Sequence, residues 1–195
     1  MTNYEQIYRE ALRDNEAFWL DAAAAIDWKK KPKTALDKKN PPLYRWFPDG
    51  KMNTCFNAVD RHVLAGRGTQ KAIVYDSPIT GQKSSTTYAE LKYQTARFAG
   101  MLASLGVTQG DRVIIYMPMI PEAIVAMLGC ARIGAVHSVV FGGFAAAELA
   151  KRFDDSTPKV VISASCGHES GRIVEYKPLL DAAIESARHK PTNCV

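Results

Sequence analysis

The sequence contains no H-E-x-x-H, no G-x-S-x-G, no G-x-G-x-x-G and no Walker A loop, and no acid pair that spacing alone brings together. Zincin chemistry, a hydrolase nucleophile elbow, a dinucleotide fingerprint and a P-loop are thereby excluded as sites announced by a motif. The four cysteines, Cys55, Cys130, Cys166 and Cys194, are far apart and form no C-x-x-C pair. That spacing argues against a structural zinc site and a disulfide framework, and no metal site is expected. No apolar run reaches the roughly eighteen residues a membrane-spanning helix needs. The start, MTNYEQIYREALRDNE, has no apolar core of a secretory signal and is too acidic for a typical mitochondrial presequence. A cytoplasmic location is expected, with the mitochondrial matrix as the alternative, and no membrane partner.

What is present is enough for one ordinary domain: 195 residues, 47% apolar and 23% charged. The net charge of +5 mildly favours acidic partners. The densest basic run, Lys29, Lys30, Lys31 and Lys33, has no aromatic platform of the kind single-strand binders use. It reads as a solvated segment, and no nucleic-acid partner is expected.

The most informative stretch runs from Asp111 to Phe144. Arg112 to Tyr116 is a short strand-like run. Pro118 and Pro121 end it and pre-set a helix start, because proline's fixed φ and missing N–H suit the first helical turn. Glu122 to Ile133 is apolar at nearly every position, which predicts a helix buried on most sides. Gly134 stops it, and Ala135 to Phe141 reads as a second buried strand. A helix between two such strands is the βαβ unit of a parallel sheet. Gly142 and Gly143 then sit at the carboxyl end of a strand, ahead of a helix from about Ala145 to Phe153, where open α/β sheets bind ligands.

The rest of the chain fits around this unit. Tyr4, Ile7, Tyr8, Ala11 and Leu12 predict a first helix, and Asp14 or Asn15 can cap a second carrying Phe18, Trp19 and Ile26. From Trp28 to Asp49 lysines and prolines make a turn-rich connector. Its Leu43, Tyr44, Trp46 and Phe47 are too apolar to be left in water, so they are expected to pin it across another surface. Ala58, Val59, Val63 and Leu64 predict a helical face that ends at Gly66 and Gly68. Lys71 to Asp76 and Ser84 to Thr87 predict a hairpin. Thr87 with Glu90 three residues on is a capping box, opening a helix with Leu91, Phe98, Leu102 and Leu105 on one stripe and Gly106 as its stop. Lys159 to Ala164 is a third buried strand, Pro178 to Arg188 a helix, and Asn193-Cys194-Val195 the start of another strand.

Two places invite a ligand. At Gly142-Gly143 the missing Cβ lets a ligand approach the backbone, and the following helix start offers N–H groups to a phosphate. A tight strand-to-helix turn accounts for the same residues equally well. The stretch Ser165 to Arg172, SCGHESGR, follows the third strand and so emerges on the same sheet edge. It reads as a mobile or tightly turned loop in which Arg172 can grip phosphate, against the plainer reading of a surface loop. His168 is read as a loop histidine, His137 as a core or wall residue of its strand, and His62 as a helix-surface residue. No catalytic residue is assigned.

Several segments taken together resemble a known family. NTCFNAVDRHV at 53–63, TTYAEL at 86–91, GDRVIIYMPMIPEAIVAML at 110–128 and CARIGAVHSVVFGGF at 130–144 are similar, in order, to AMP-forming short-chain acyl-CoA synthetases, the acetyl- and propionyl-CoA ligases. SASCGHESGRIVEYKPLLDAAIE at 163–185 is more similar to the propionyl than to the acetyl enzymes. The resemblance implies an α/β fold: part of an adenylate-forming (ANL-type) large domain with parallel βαβ units over 62–195, preceded by a helical N-terminal extension over 1–61. It also implies a two-step ligation of a short-chain carboxylate such as propionate, using ATP, coenzyme A and Mg²⁺. Acetate is the nearest alternative substrate, and a non-enzymatic coenzyme A-binding or interaction module the alternative of a different class.

By the same resemblance Glu169, Ser170, Gly171 and Arg172 correspond to the family's coenzyme A-binding loop, and Phe141, Gly142 and Gly143 to the wall beside the coenzyme's nucleotide end. Glu169 stands where the family usually has an arginine, which leaves Arg172 as the main cation. The family's Ser/Thr/Gly-rich phosphate loop ending in Pro-Lys, its ribose-binding aspartate, its adenine pocket and its C-terminal catalytic lysine have no counterpart in these 195 residues. The expectation is therefore an N-terminal portion of a longer ligase, inactive alone. Its incomplete sheet would expose an unpaired edge that favours association.

Overall fold

The computed structural model describes residues 3–140 and 142–195. The chain forms two units, Met1–Asn53 and Thr54–Val195. In the first, helix α1 (Tyr4–Arg13) is capped by Asn3 and α2 (Asn15–Ala23) by Asp14, whose carboxylate accepts from Ala17 N–H at 3.0 Å. This is the Asp14 cap expected from sequence.

The connector is built of paired fragments: β1 (Trp28–Lys30) with β4 (Lys51–Met52), and β2 (Leu36–Asp37) with β3 (Arg45–Trp46), both antiparallel. Aromatic contacts hold it. Trp19 meets Trp46 edge-on at 5.4 Å, Trp28 lies 5.6 Å from Phe47, and the Trp28 indole donates to Ala23 O at 2.7 Å. One expectation fails within this unit. Leu43, Tyr44 and Trp46 remain 70%, 53% and 49% exposed, because two-residue strand pairs offer too little surface to cover them.

The second unit opens with two π-helical turns, Phe56–Asp60 and Val63–Arg67. The wider winding explains why an α-helical face over Ala58 to Leu64 is not realised: Val59 is fully buried while Leu64 is 71% exposed. Strands β5 (Lys71–Asp76) and β6 (Lys83–Thr87) form the expected hairpin. Helix α3 (Tyr88–Ser104) begins with the capping box, both halves present: Glu90 N–H donates to Thr87 Oγ1 at 3.3 Å and Thr87 N–H to Glu90 Oε2 at 2.7 Å.

The centre is a four-stranded sheet, wholly parallel, in the order β12-β9-β7-β8. Its strands are β7 (Arg112–Tyr116), β8 (Val136–Val140), β9 (Val160–Ser163) and β12 (Asn193–Cys194). Between them run α4 (Pro121–Ile133), α5 (Ala146–Ser156) and α6 (Tyr176–Ser186). Side-chain alternation sorts the sheet into two faces. Val113, Ile115, Val160 and Ile162 pack with Leu102 of α3 and Ala123, Ala126 and Cys130 of α4. Ile114, Tyr116 and Val161 pack with Leu149 and Phe153 of α5 and Leu180 and Ala183 of α6. Each fully buried branched or aromatic residue contributes about 1.5–3 kcal/mol. Cys130 sits in this core at 0% exposure, and burial pushes its thiol up to about 12, so it behaves as a small hydrophobe.

Gly134 ends α4 in the left-handed region, as expected. Strand β8 departs from expectation. It is an edge of the sheet, and Val136 and Val139 are 53% and 49% exposed, as is the ring of His137 in part. His137 is thus a surface residue of an edge strand and not a core or wall residue. No helix among the described residues is long and apolar enough to cross a membrane.

Candidate functional site

The connections of the sheet reverse direction beside β7. The chain leaves β7 through α4 to β8 on one side, then crosses through α5 to β9 on the other, and continues outward through α6 to β12. The topological switch point of the sheet therefore lies at the carboxyl ends of β7 and β9, the kind of place where open α/β sheets take ligands. Three segments frame it: the turn after β8 with Gly142 and Gly143, the segment after β9, and the start of α6.

The segment after β9 is not a loop. Cys166–Glu169 (β10) and Arg172–Glu175 (β11) pair antiparallel around a two-residue turn, Ser170-Gly171. Gly171 has φ +77°, a conformation that residues with a Cβ rarely adopt. The sequence signal was weak because C-G-H-E and R-I-V-E carry no clear alternation.

Two tyrosines join these segments, and neither was singled out from sequence. Tyr116, the last residue of β7, is fully buried and donates its hydroxyl to Phe144 O at 2.9 Å, with Gly142 O at 3.4 Å. It thereby fixes the backbone of the glycine turn. Tyr176, the first residue of α6, meets Tyr116 edge-to-face with centroids 4.9 Å apart. Its backbone N–H donates to Ser165 O at 3.0 Å. Its ring end lies over two buried glycines. A Cβ on Gly142 would overlap the Tyr176 hydroxyl, and one on Gly167 would stand 2.8 Å from it. Real Cβ atoms keep more than 3.0 Å from other heavy atoms, so both positions must lack a side chain while Tyr176 stays. Burial pushes both phenols up; the neighbouring Tyr176 adds to this for Tyr116, and the neighbouring Glu169 and Cys166 for Tyr176. Only the position of each tyrosine, one closing a strand and one opening a helix, marked them in the sequence.

The residues singled out from sequence fall as follows. Gly142 is buried against Tyr176, and Gly143 is exposed beside it. Phe141 lies outside the described residues. Glu169 and Arg172 face each other across the hairpin turn, where Arg172 Nη2 is 2.6 Å and Nε 2.8 Å from Glu169 Oε2. Ser170 and Gly171 are exposed at the turn itself. The guanidinium expected to stand as the main cation is thus already engaged by the carboxylate three residues before it. His168 is exposed on β10.

Elsewhere the titratable clusters are closed. Asp60 is 7% exposed and receives Arg132 through two bonds of 3.3 and 2.7 Å, with Lys92 3.9 Å away. Arg132 also reaches Thr95 Oγ1 at 3.3 Å. Cys55 lies in the same cluster, and burial pushes its thiol up. At the amino end of the sheet Asp111 accepts from Thr108 N–H and hydroxyl and pairs with Lys159 at 3.2 Å, which holds its carboxyl down at about 2. Among the described residues no group of three His, Cys, Asp or Glu side chains stands ready for a metal ion.

Comparison with known proteins agrees with this architecture. Residues 60–193 match the family "AMP-binding enzyme", and residues 4–58 match "Acetyl-coenzyme A synthetase N-terminus". The chain is 50% identical over 188 residues to the rat protein called acyl-CoA synthetase short-chain family member 3, mitochondrial, covering 96% of this chain and 28% of that one. It is 47% identical over 182 residues to an acetyl-coenzyme A synthetase of Streptomyces coelicolor, covering 93% and 28%. With an uncharacterised protein of Pseudomonas aeruginosa it shares 50% over 190 residues, 97% of this chain and 30% of the other. The chain thus spans less than a third of the length of these relatives. The match over residues 60–193, more than half of the chain, shows that the chain belongs to the AMP-binding enzyme family.

Proposed function

We propose that these residues form the N-terminal portion of an AMP-forming short-chain acyl-CoA ligase acting on propionate. Residues 1–61 would be its helical extension and 62–195 the start of its adenylate-forming domain. In the first step the carboxylate oxygen attacks the α-phosphorus of ATP, giving an acyl-adenylate and releasing diphosphate. In the second the thiol of coenzyme A attacks the acyl carbonyl and AMP leaves. This chain's share is the coenzyme A wall: Phe141, Gly142 and Gly143 on one side, and Glu169, Ser170, Gly171 and Arg172 on the other. The observation that supports it is the meeting of the glycine turn and the hairpin at Tyr176, on the carboxyl edge of the sheet.

The electrostatics follow from the hairpin. Arg172 can bind a phosphate of the coenzyme by exchanging Glu169 for it, a swap of one charge-assisted pair for another. Mg²⁺ bound with ATP supplies charge neutralisation on the phosphates. We assign the reaction to the cytoplasm, with the mitochondrial matrix as the alternative.

The preference for propionate rests on the resemblance of 163–185, and acetate is the second reading. Diphosphate exchange in the full-length synthetase carrying this sequence separates them. Exchange should be faster with propionate than with acetate, and the reverse order overturns the substrate assignment. The 195-residue chain alone should show no exchange.

A further inference from the structure

The two margins of the central sheet are unlike. On one side β12 pairs through two residues only. On the other, β8 runs five residues in unbroken register with β7. Val136 N–H donates to Asp111 O at 2.8 Å, so Val136, Ser138 and Val140 turn their backbone groups toward β7. The N–H and C=O groups of His137 and Val139 therefore point outward, and among the described residues no strand meets them.

Natural sheets guard such a margin with charge, proline, a bulge or a very short strand. The sequence V-H-S-V-V carries no lysine, arginine, acid or proline, and its register has no bulge. Its side chains do not suit a margin either. Val136 and Val139 lie on opposite faces of the sheet, and each is about half exposed. The inner strands β7 and β9 show what cover such residues receive, with helices packed on both faces. A strand apolar on both faces belongs inside a parallel sheet. The relatives have chain enough to complete it, since these residues span less than a third of their length.

We infer that β8 is an inner strand of the complete sheet. Its outer margin takes a further strand, supplied by the part of the ligase outside these 195 residues, with apolar cover over Val136 on one face and Val139 on the other. The inference rests on reading the chain as a portion of a longer protein.

The test is hydrogen exchange, read by mass spectrometry on a peptide spanning Val136–Val140, in the 195-residue chain and in the full-length synthetase carrying this sequence. Both should protect the amides of Val136, Ser138 and Val140. Only the full-length protein should also protect those of His137 and Val139, slowing them roughly a hundredfold or more. Val139→Lys adds a second reading. The 195-residue variant should unfold at an unchanged temperature, because a lysine on an open margin reaches water. The full-length variant should unfold about 4 °C lower or more, because the same lysine is buried there. Fast exchange of His137 and Val139 in the full-length protein overturns the inference, and so does equal tolerance of Val139→Lys in both chains. Protection in the 195-residue chain that rises with its concentration overturns it in favour of a second copy. If the full-length protein protects both amides but forms no acyl-CoA, the ligase reading fails and this inference stands.

Discussion

Two arginine–carboxylate pairs in this chain have nearly the same geometry and opposite surroundings. Arg132 and Asp60 are joined at 2.7 Å with side-chain exposures of 24% and 10%; Arg172 and Glu169 are joined at 2.6 Å with exposures of 67% and 39%. The first pair links a π-helical turn to α4 across 72 residues of sequence, and Thr95 of α3 completes it. The second spans three residues around a hairpin turn. Distance alone does not tell a lock from a hand. Burial does: an ion inside the protein cannot be left behind by its partner, while one in water can exchange its partner for a ligand at little cost.

Removal of the buried cation should have the largest effect. Arg132→Ala takes the nearer cation from the buried Asp60, leaving only Lys92 at 3.9 Å, and we expect a loss of about 3–5 kcal/mol in denaturant unfolding. A loss below about 1 kcal/mol would place the pair in the same class as Arg172–Glu169 and erase the contrast. Gly142→Ala comes next. Its methyl overlaps the Tyr176 hydroxyl, so overpacking of about 1–3 kcal/mol is expected, and Tyr176→Ala in the same chain should return part of it. Strict additivity of the two changes would show that they do not touch. Smallest in stability, and most telling for function, is Glu169→Gln. Unfolding should shift by less than about 1 kcal/mol, whereas coenzyme A should bind a few-fold more tightly, because Arg172 no longer has to leave a carboxylate. Unchanged or weaker binding would mean that Glu169 orients Arg172 and does not compete for it.

Local chemistry was the part most legible from sequence. The Thr87–Glu90 capping box, the Asp14 cap, the Gly134 stop and the βαβ unit over Asp111 to Val140 each depend on residues within a few positions of one another, and each is found as expected. What depends on distant partners was harder to read. The apolar run of β8 signals a strand buried on both faces, but whether it is buried depends on what lies beyond its free edge, and here Val136 and Val139 face outward. The stretch after β9 looked like a loop because its glycines and polar residues hide a hairpin register. Tyr176 carried no local signal at all. Its importance comes from contacts with Gly142 and Tyr116, which lie 34 and 60 positions earlier, and only the folded chain brings them together. The resemblance singled out two segments that the fold brings together at Tyr176, and passed over the residue between them.

The strand order also says something about how the chain can be put together. β7 is made first and ends inside the sheet, with β8 added on one flank and β9, then β12, on the other. Every later strand therefore arrives at an open margin, and none must be inserted between two that are already paired. As the polypeptide emerges from the ribosome its sheet can grow outward from its own middle, each βα segment settling as it appears, without undoing a hydrogen bond already formed.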